Sequence, residues 1–401
     1  MRGPRIRRGL SAVLLCPLLA LSVVSLGGGG TAAPDADAEA AVGALLDRRA
    51  AALLRGDGDA YAATGVGAGL AEPRSVPLTA WSYRVRAVRL RGGTGTADVD
   101  LRYRLDGHDE GPVTVPRTVG LVRGADGAWR VAFERPAPGG PERLWDQGPV
   151  VAVRGARSLV LGVDRPTAEL RLVAALADRA VSRVPDVWAD DWARRVVVLV
   201  PSSSADMAAL LGAPASAYRG VAAVTTGRSG VGEAAPADRI IVNPESYGLL
   251  TPEGRQVVMT HEATHVATRA HTTPATPLWL SEGYADWVGF RDTDRAPREV
   301  APEVAQEVAG GRIPETLPSD ADFALAPPVD AATWTGAYEE SWTACDLIAS
   351  RWGEERLAAF YRGVGAEDDE GAVSEAMVAV LGRTPERFVQ EWRAALREEF
   401  G

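Results

Sequence analysis

The stretch Thr251-Pro-Glu-Gly-Arg-Gln-Val-Val-Met-Thr-His261-Glu262-Ala-Thr-His265-Val-Ala267 decides the reading of this 401-residue chain. Thr251 suits an N-cap and Pro252 the first helical position, so the pattern predicts a helix running to about Arg269. His261 and His265 stand four apart, so both imidazoles leave one helix face, one turn above the other. That spacing lets two nitrogens reach one Zn²⁺ at about 2.0–2.1 Å. Glu262 is rotated by about 100° from His261, which sets its carboxylate beside a metal rather than on it. From there it could take a proton from a zinc-bound water. The competing reading is a helix with two exposed histidines. The chain has four His in all, and two of them fall in this one motif.

The segment Leu278-Trp-Leu-Ser-Glu282-Gly-Tyr-Ala-Asp286 has the pattern of a second helix, entered through Pro277. Glu282 follows His265 by 17 residues, room for one helix to end and a second to lie alongside. A catalytic zinc site needs three protein ligands and an open position, and His₂Glu is one such set. Asp286, one turn beyond Glu282, is placed to accept the outer N–H of a ligand histidine and fix its tautomer. The alternative for Asp286 is a solvated helix charge.

These residues, His261, Glu262, His265 and the Trp279-Leu-Ser-Glu282-Gly-Tyr-Ala285 pattern, resemble the gluzincins, the peptidase-MA-like group related to thermolysin and aminopeptidase N. The resemblance covers residues 150–401. It implies zinc ligation by His261, His265 and Glu282, a base/acid role for Glu262, and support of a ligand His by Asp286. The group often supplies a Tyr or His that donates to the oxyanion. Gly336-Ala-Tyr338-Glu-Glu-Ser341 is similar to the Tyr-Glu-x-Gly entry of the aminopeptidase N relatives, with Ser341 in place of Gly. Tyr338 is therefore the oxyanion candidate, at the opening of a helix expected over Trp342–Trp352; an ordinary half-buried Tyr is the alternative. The Gly-x-Met-Glu-Asn stretch that holds a free N-terminus in aminopeptidases is missing between Val196 and Thr251. Arg239-Ile-Ile-Val-Asn-Pro-Glu245 offers instead an expected edge strand, to which an extended peptide could add. The expectation is internal peptide-bond cleavage.

Outward from this core, the first half reads differently. Val42, Leu45, Leu46, Ala50 and Leu53 recur at helical spacing, and Gly56-Asp-Gly58 stops them. Period-two alternation then runs through 82–90, 97–105, 115–123 and 129–134, with Asp126-Gly127 as a turn. A helix followed by a four-stranded antiparallel meander makes residues 37–140 a small α+β domain, similar in pattern to the cone-shaped domains related to nuclear transport factor and SnoaL. Pro136-Ala-Pro-Gly-Gly-Pro141 marks the boundary. Beyond it, strands at 150–153, 158–161, 196–200 and 239–242 alternate with helices at 167–184 and 207–211. From Thr251 onward nearly everything reads helical. The fold class expected is α+β: the cone-shaped domain, then a zincin-type metallopeptidase domain with a mixed sheet and a helical subdomain.

Arg2, Arg5, Arg7 and Arg8 precede an apolar run from Leu10 to Leu26, with Thr31-Ala-Ala33 as a cleavage-like site, so residues 1–33 read as a signal peptide or, failing cleavage, an N-terminal anchor. Secretion or an extracytoplasmic place follows, with membrane association only through an uncleaved segment. A net charge of −10 argues against a nucleic-acid partner. Cys345 falls in the apolar pattern Trp342, Ile348, Ala349, Trp352 and reads as core. His271, in the loop after the motif, and His108, in a hairpin turn, read as solvated side chains. Glu367-Asp-Asp-Glu370 lacks the spacing of a calcium loop. The function expected is an exported zinc metallopeptidase with one Zn²⁺ per chain, acting on peptide or protein substrates. The rivals are a non-catalytic envelope scaffold, and a zymogen whose residues 37–140 cover the cleft.

Overall fold

The alternating segments of the first half fold as one antiparallel meander. In the computed structural model, which describes residues 36–66, 73–190, 192–218, 220–226, 238–324, 331–367, 369 and 371–401, helix α1 (Ala36–Leu54) and the short α2 (Gly58–Ala63) precede β1 (Leu78–Arg91), β2 (Thr94–Leu105), β3 (Val113–Arg123) and β4 (Trp129–Pro136). The sheet order is β1-β2-β3-β4. Val42, Leu45 and Leu46 of α1 pack on Val88, Val99, Val119, Leu121 and Val131, which alternation sends to one side of their strands. The expected signal segment, 1–33, lies outside the described residues. Among the described residues no helix is long and apolar enough to cross a membrane.

A short helix, α3 (Leu144–Gln147), leads into a second sheet: β5 (Val150–Arg154), β6 (Ser158–Val163), β7 (Val196–Val200), β8 (Ala223–Thr226) and β9 (Arg239–Val242). Helices α4 (Thr167–Arg183) and α5 (Ser204–Leu211) lie between its strands in sequence. The order is β5-β6-β7-β9-β8, with β6, β7 and β9 parallel and the two outer strands antiparallel. This corrects one expectation. Arg239–Val242 is not the edge, for β9 is hydrogen-bonded on both sides and every residue in it is buried, as suits a continuous apolar run in a sheet interior. The edge on that side is β8, four residues long.

The two sheets share a core. Trp81, Leu101, Tyr103 and Val115 of the meander join Leu159, Leu161, Val197 and Ile241 of the second sheet in one buried cluster. Asp109, in the β2–β3 connection, adds a buried ion pair, with its Oδ1 2.8 Å from a guanidinium nitrogen of Arg239.

On the other side of the second sheet lie α4 and the helices of the C-terminal half: α6 (Pro244–Leu249), α7 (Pro252–Thr268), α8 (Leu278–Phe290), α9 (Pro297–Val300), α10 (Pro302–Ala309), α11 (Ala331–Trp352), α12 (Glu354–Gly365), α13 (Ala372–Ala376) and α14 (Pro385–Phe400). Helix α8 is held between α7 and α11. Two glycines allow that closeness. A Cβ on Gly283 would come within 2.4 Å of the Ser341 carbonyl oxygen, and one on Gly289 within 3.1 Å of that of Val257. Helix α11 starts eleven residues before the expected Trp342, because Trp334, Ala337, Tyr338 and Ser341 extend the helical spacing that Cys345 and Ile348 continue. Tyr338 therefore stands inside a helix, not at its entry. Cys345 is fully buried and free, as core packing requires.

Candidate metal centre

Helix α7 begins as its sequence dictates: Thr251 Oγ1 accepts from the Gly254 amide at 3.0 Å, and Pro252 occupies the first turn. Its buried face is unusual in carrying Thr260, Thr264 and Thr268. Each returns its hydroxyl proton to the carbonyl four residues back, at 2.8, 2.8 and 3.0 Å, so no polar group is stranded. About 100° further round the helix, His261 and His265 face α8.

The three expected ligands converge there. His261 Nε2 lies 3.0 Å from His265 Nε2 and 3.3 Å from Glu282 Oε2, and His265 Nε2 lies 3.5 Å from Glu282 Oε1. Ligands held about 2.0–2.1 Å from a tetrahedral Zn²⁺ sit about 3.3 Å from one another, so the donor set fits that ion in spacing and in chemistry. Among the described residues this is the one His/Cys/Asp/Glu grouping with ligand atoms within 4.8 Å of each other.

Charge balance in the site follows from the same contacts. Burial alone would discharge His261, but Asp286 and Glu282 outweigh it and raise its pKa well above that of a free imidazole. Burial alone would raise the Glu282 carboxyl, yet His265 and His261 reverse this and hold it well below the usual carboxylate range. Asp286 Oδ1 lies 2.8 Å from His261 Nδ1, which orients that ring.

Glu262 stands outside the ligand group. It is 5% exposed, and its Oε2 accepts from the Thr225 hydroxyl of β8 at 2.6 Å. Tyr338, of α11, lines the same cleft and interacts with Glu282. Burial, and the charges of Glu282, Asp286 and Glu262, hold its phenol in the protonated, donating form. Its ring packs on Trp334 and Phe323 at centroid distances of 4.7 and 5.2 Å.

The cleft has a volume of about 700 Å³ and is bounded by β8, α7, α8 and α11. Among the described residues none of its walls comes from 37–140. Thr225 was missed by motif reading, which sees no connection across the 37 residues that separate it from Glu262. Arg269, on the cleft wall, was missed as well, and pairs with Asp238 at 3.3 Å.

His271 departs from expectation. The chain tightens after α7 into a 3-10 turn, Arg269–His271, which lays the imidazole edge-on against Trp188 and brings its Nε2 to 3.4 Å from Asp190. It is a half-buried packing residue, apart from the ligand group. His108 stays in its hairpin loop, with Nδ1 3.0 Å from the Asp106 carbonyl oxygen. Of the acidic run, Asp369 Oδ1 accepts from the Gly371 amide at 2.7 Å, while residues 368 and 370 lie outside the described residues.

No protein-family model matches the sequence, and no curated protein matches it. Among solved structures the chain is similar to native yeast LTA4 hydrolase, with a TM-score of 0.39 and 11% identity over 82% of this chain and 61% of that one. The chain thus spans less than two thirds of that protein's length.

Proposed function

We propose that the chain is a zinc-dependent peptidase that hydrolyses internal peptide bonds. The observation that carries this reading is the approach of His261 Nε2, His265 Nε2 and Glu282 to 3.0–3.5 Å of one another, beside a carboxylate that is not a ligand. His261, His265 and Glu282 would hold the metal, which when bound would acidify water and polarise a substrate carbonyl.

The remaining roles belong to side chains of the chain itself. Glu262 takes the proton of the attacking water as the C–O bond forms and the carbonyl opens, then delivers it to the leaving nitrogen, whose C–N bond breaks as the carbonyl re-forms. Tyr338, kept protonated, donates to the carbonyl oxygen as negative charge gathers there. Asp286 fixes the His261 ring. An extended substrate pairs with the edge of β8 that no strand among the described residues occupies and that borders the cleft.

The test is metal analysis followed by digestion of a peptide library by wild type and Glu262→Gln. The expected result is about one zinc per chain in both, with cleavage at internal bonds by wild type alone. A fully active Glu262→Gln overturns the mechanism. Absence of stoichiometric zinc from both proteins favours a scaffold.

A further inference from the structure

Strand β8 brings a hydroxyl to the base from a different part of the chain. Ala223 belongs with the core that contains α7, while Val224 packs toward the core shared with the meander. Alternation therefore sends Thr225 to the α7 side. There its Oγ1 lies 2.6 Å from Glu262 Oε2 and 3.1 Å from the Glu262 carbonyl oxygen. A hydroxyl has one proton to give, and the shorter contact, to an oxygen of a carboxylate, falls in the range of charge-assisted O–H···O⁻ bonds.

We infer that Thr225 is a positioning residue for Glu262, an inference that rests on the hydrolytic role proposed above. A glutamate on a helix has three side-chain torsions, and nothing in the His-Glu-x-x-His spacing fixes the last of them. With Oε2 committed to Thr225, the carboxylate plane is set and Oε1 is the oxygen left to carry the proton. The contact survives the shuttle. When Oε1 is protonated, Oε2 is the carbonyl oxygen of the acid and still accepts from the same hydroxyl. Thr225 Oγ1 also approaches the Glu262 carbonyl oxygen to 3.1 Å, so strand and helix meet at the same residue. A substrate that pairs with β8 is thereby held in register with the base.

The experiment compares wild type, Thr225→Val and Thr225→Ser for zinc content, kcat and KM on one peptide substrate. It then measures Tm for Thr225→Val in the wild-type and Glu262→Ala backgrounds. Val keeps the shape and loses the hydroxyl; Ser keeps the hydroxyl. The expected result is unchanged zinc content, KM within about twofold, and kcat lowered by about 10- to 100-fold in Thr225→Val. Thr225→Ser should recover kcat to within about threefold of wild type. The Tm change caused by Thr225→Val should shrink when Glu262 is already Ala, because the two side chains then have no contact to lose. A Thr225→Val enzyme with wild-type kcat, or an equal Tm change in both backgrounds, overturns the positioning role alone. A wild-type chain that holds zinc and cleaves no peptide overturns the hydrolytic reading and the role with it, whatever the Tm cycle gives.

Discussion

His261 Nδ1 lies 2.8 Å from Asp286 Oδ1, across the seam between α7 and α8. With Nδ1 committed to that carboxylate, Nε2, the atom that faces His265 and Glu282, is the nitrogen available to a metal. Asp286→Asn leaves a neutral amide that supports neither the tautomer nor the ring's basicity as well. The expected outcome is zinc affinity weakened by about 10- to 100-fold with far-UV circular dichroism unchanged. Competition with a chromophoric chelator measures it, and wild-type affinity in the variant would remove Asp286 from the metal's support.

Gly283 offers a second, purely steric test. A Cβ there would sit 2.4 Å from the Ser341 carbonyl oxygen, a backbone atom that cannot turn aside. Overpacking of this kind costs about 1–3 kcal/mol, more than the up to about 1 kcal/mol that alanine gains over glycine in a helix. Gly283→Ala should therefore lower Tm. Zinc affinity should fall as well, since the neighbouring Glu282 must move with α8. Gly336→Ala is the control: nothing lies within 4 Å of a Cβ there, so helix propensity acts unopposed and Tm should hold or rise. Equal Tm changes in the two variants would show that the α8–α11 approach is not tight.

What could be read in advance follows the range of the interactions. The turns of α7 and α8 were legible because cap, proline and ligand spacing all lie within a few residues of one another. The meander was legible because period two repeats over four long segments. Strand β8 was not: Ala223–Thr226 is too short to show a period, and its place beside β9 depends on the chain stepping outward and then back. That same step made Arg239–Val242 look like an edge. Thr225 could not be found at all from sequence, because its meaning lies in a contact with Glu262 and not in its neighbours. The start of α11 was masked by Gly336, which ordinarily weakens a helix and here sits within one.

The Asp109–Arg239 pair lies 130 residues apart in sequence and is buried where the meander meets the second sheet. Asp109 Oδ2 also accepts from the Leu105 amide at 2.7 Å, so the carboxylate is held on both sides. Asp109→Ala leaves the Arg239 guanidinium buried without its counter-charge, a loss of about 3–5 kcal/mol. Asp109→Leu combined with Arg239→Leu removes both charges and should recover much of that. Denaturant unfolding of the single and double variants measures the difference. If Asp109→Ala unfolds at the wild-type midpoint, the pair does not hold the two sheets together.

The pH dependence of stability has a sign fixed by two carboxyls of α11. Burial raises Glu339 to about 7, against the opposing effect of the Val304 amide that donates to it at 2.9 Å. Burial, with Glu307 and Asp322 nearby, raises Glu340 to about 7. In the unfolded chain both titrate near the ordinary glutamate value of 4.5. Between those limits the folded state keeps protons that the unfolded state has released, so stability falls as pH rises, by up to about 1.4 kcal/mol per pH unit for each group. The fall ends above about 7, where both states are ionised. Tm should therefore decline from pH 5 to pH 7.5. Glu339→Gln keeps an acceptor for the Val304 amide and has no proton to lose, so its Tm–pH slope should be shallower than that of wild type. Parallel slopes would show that Glu339 ionises in the folded protein as it does in the unfolded chain. A steeper slope in the variant would reverse the sign of the argument.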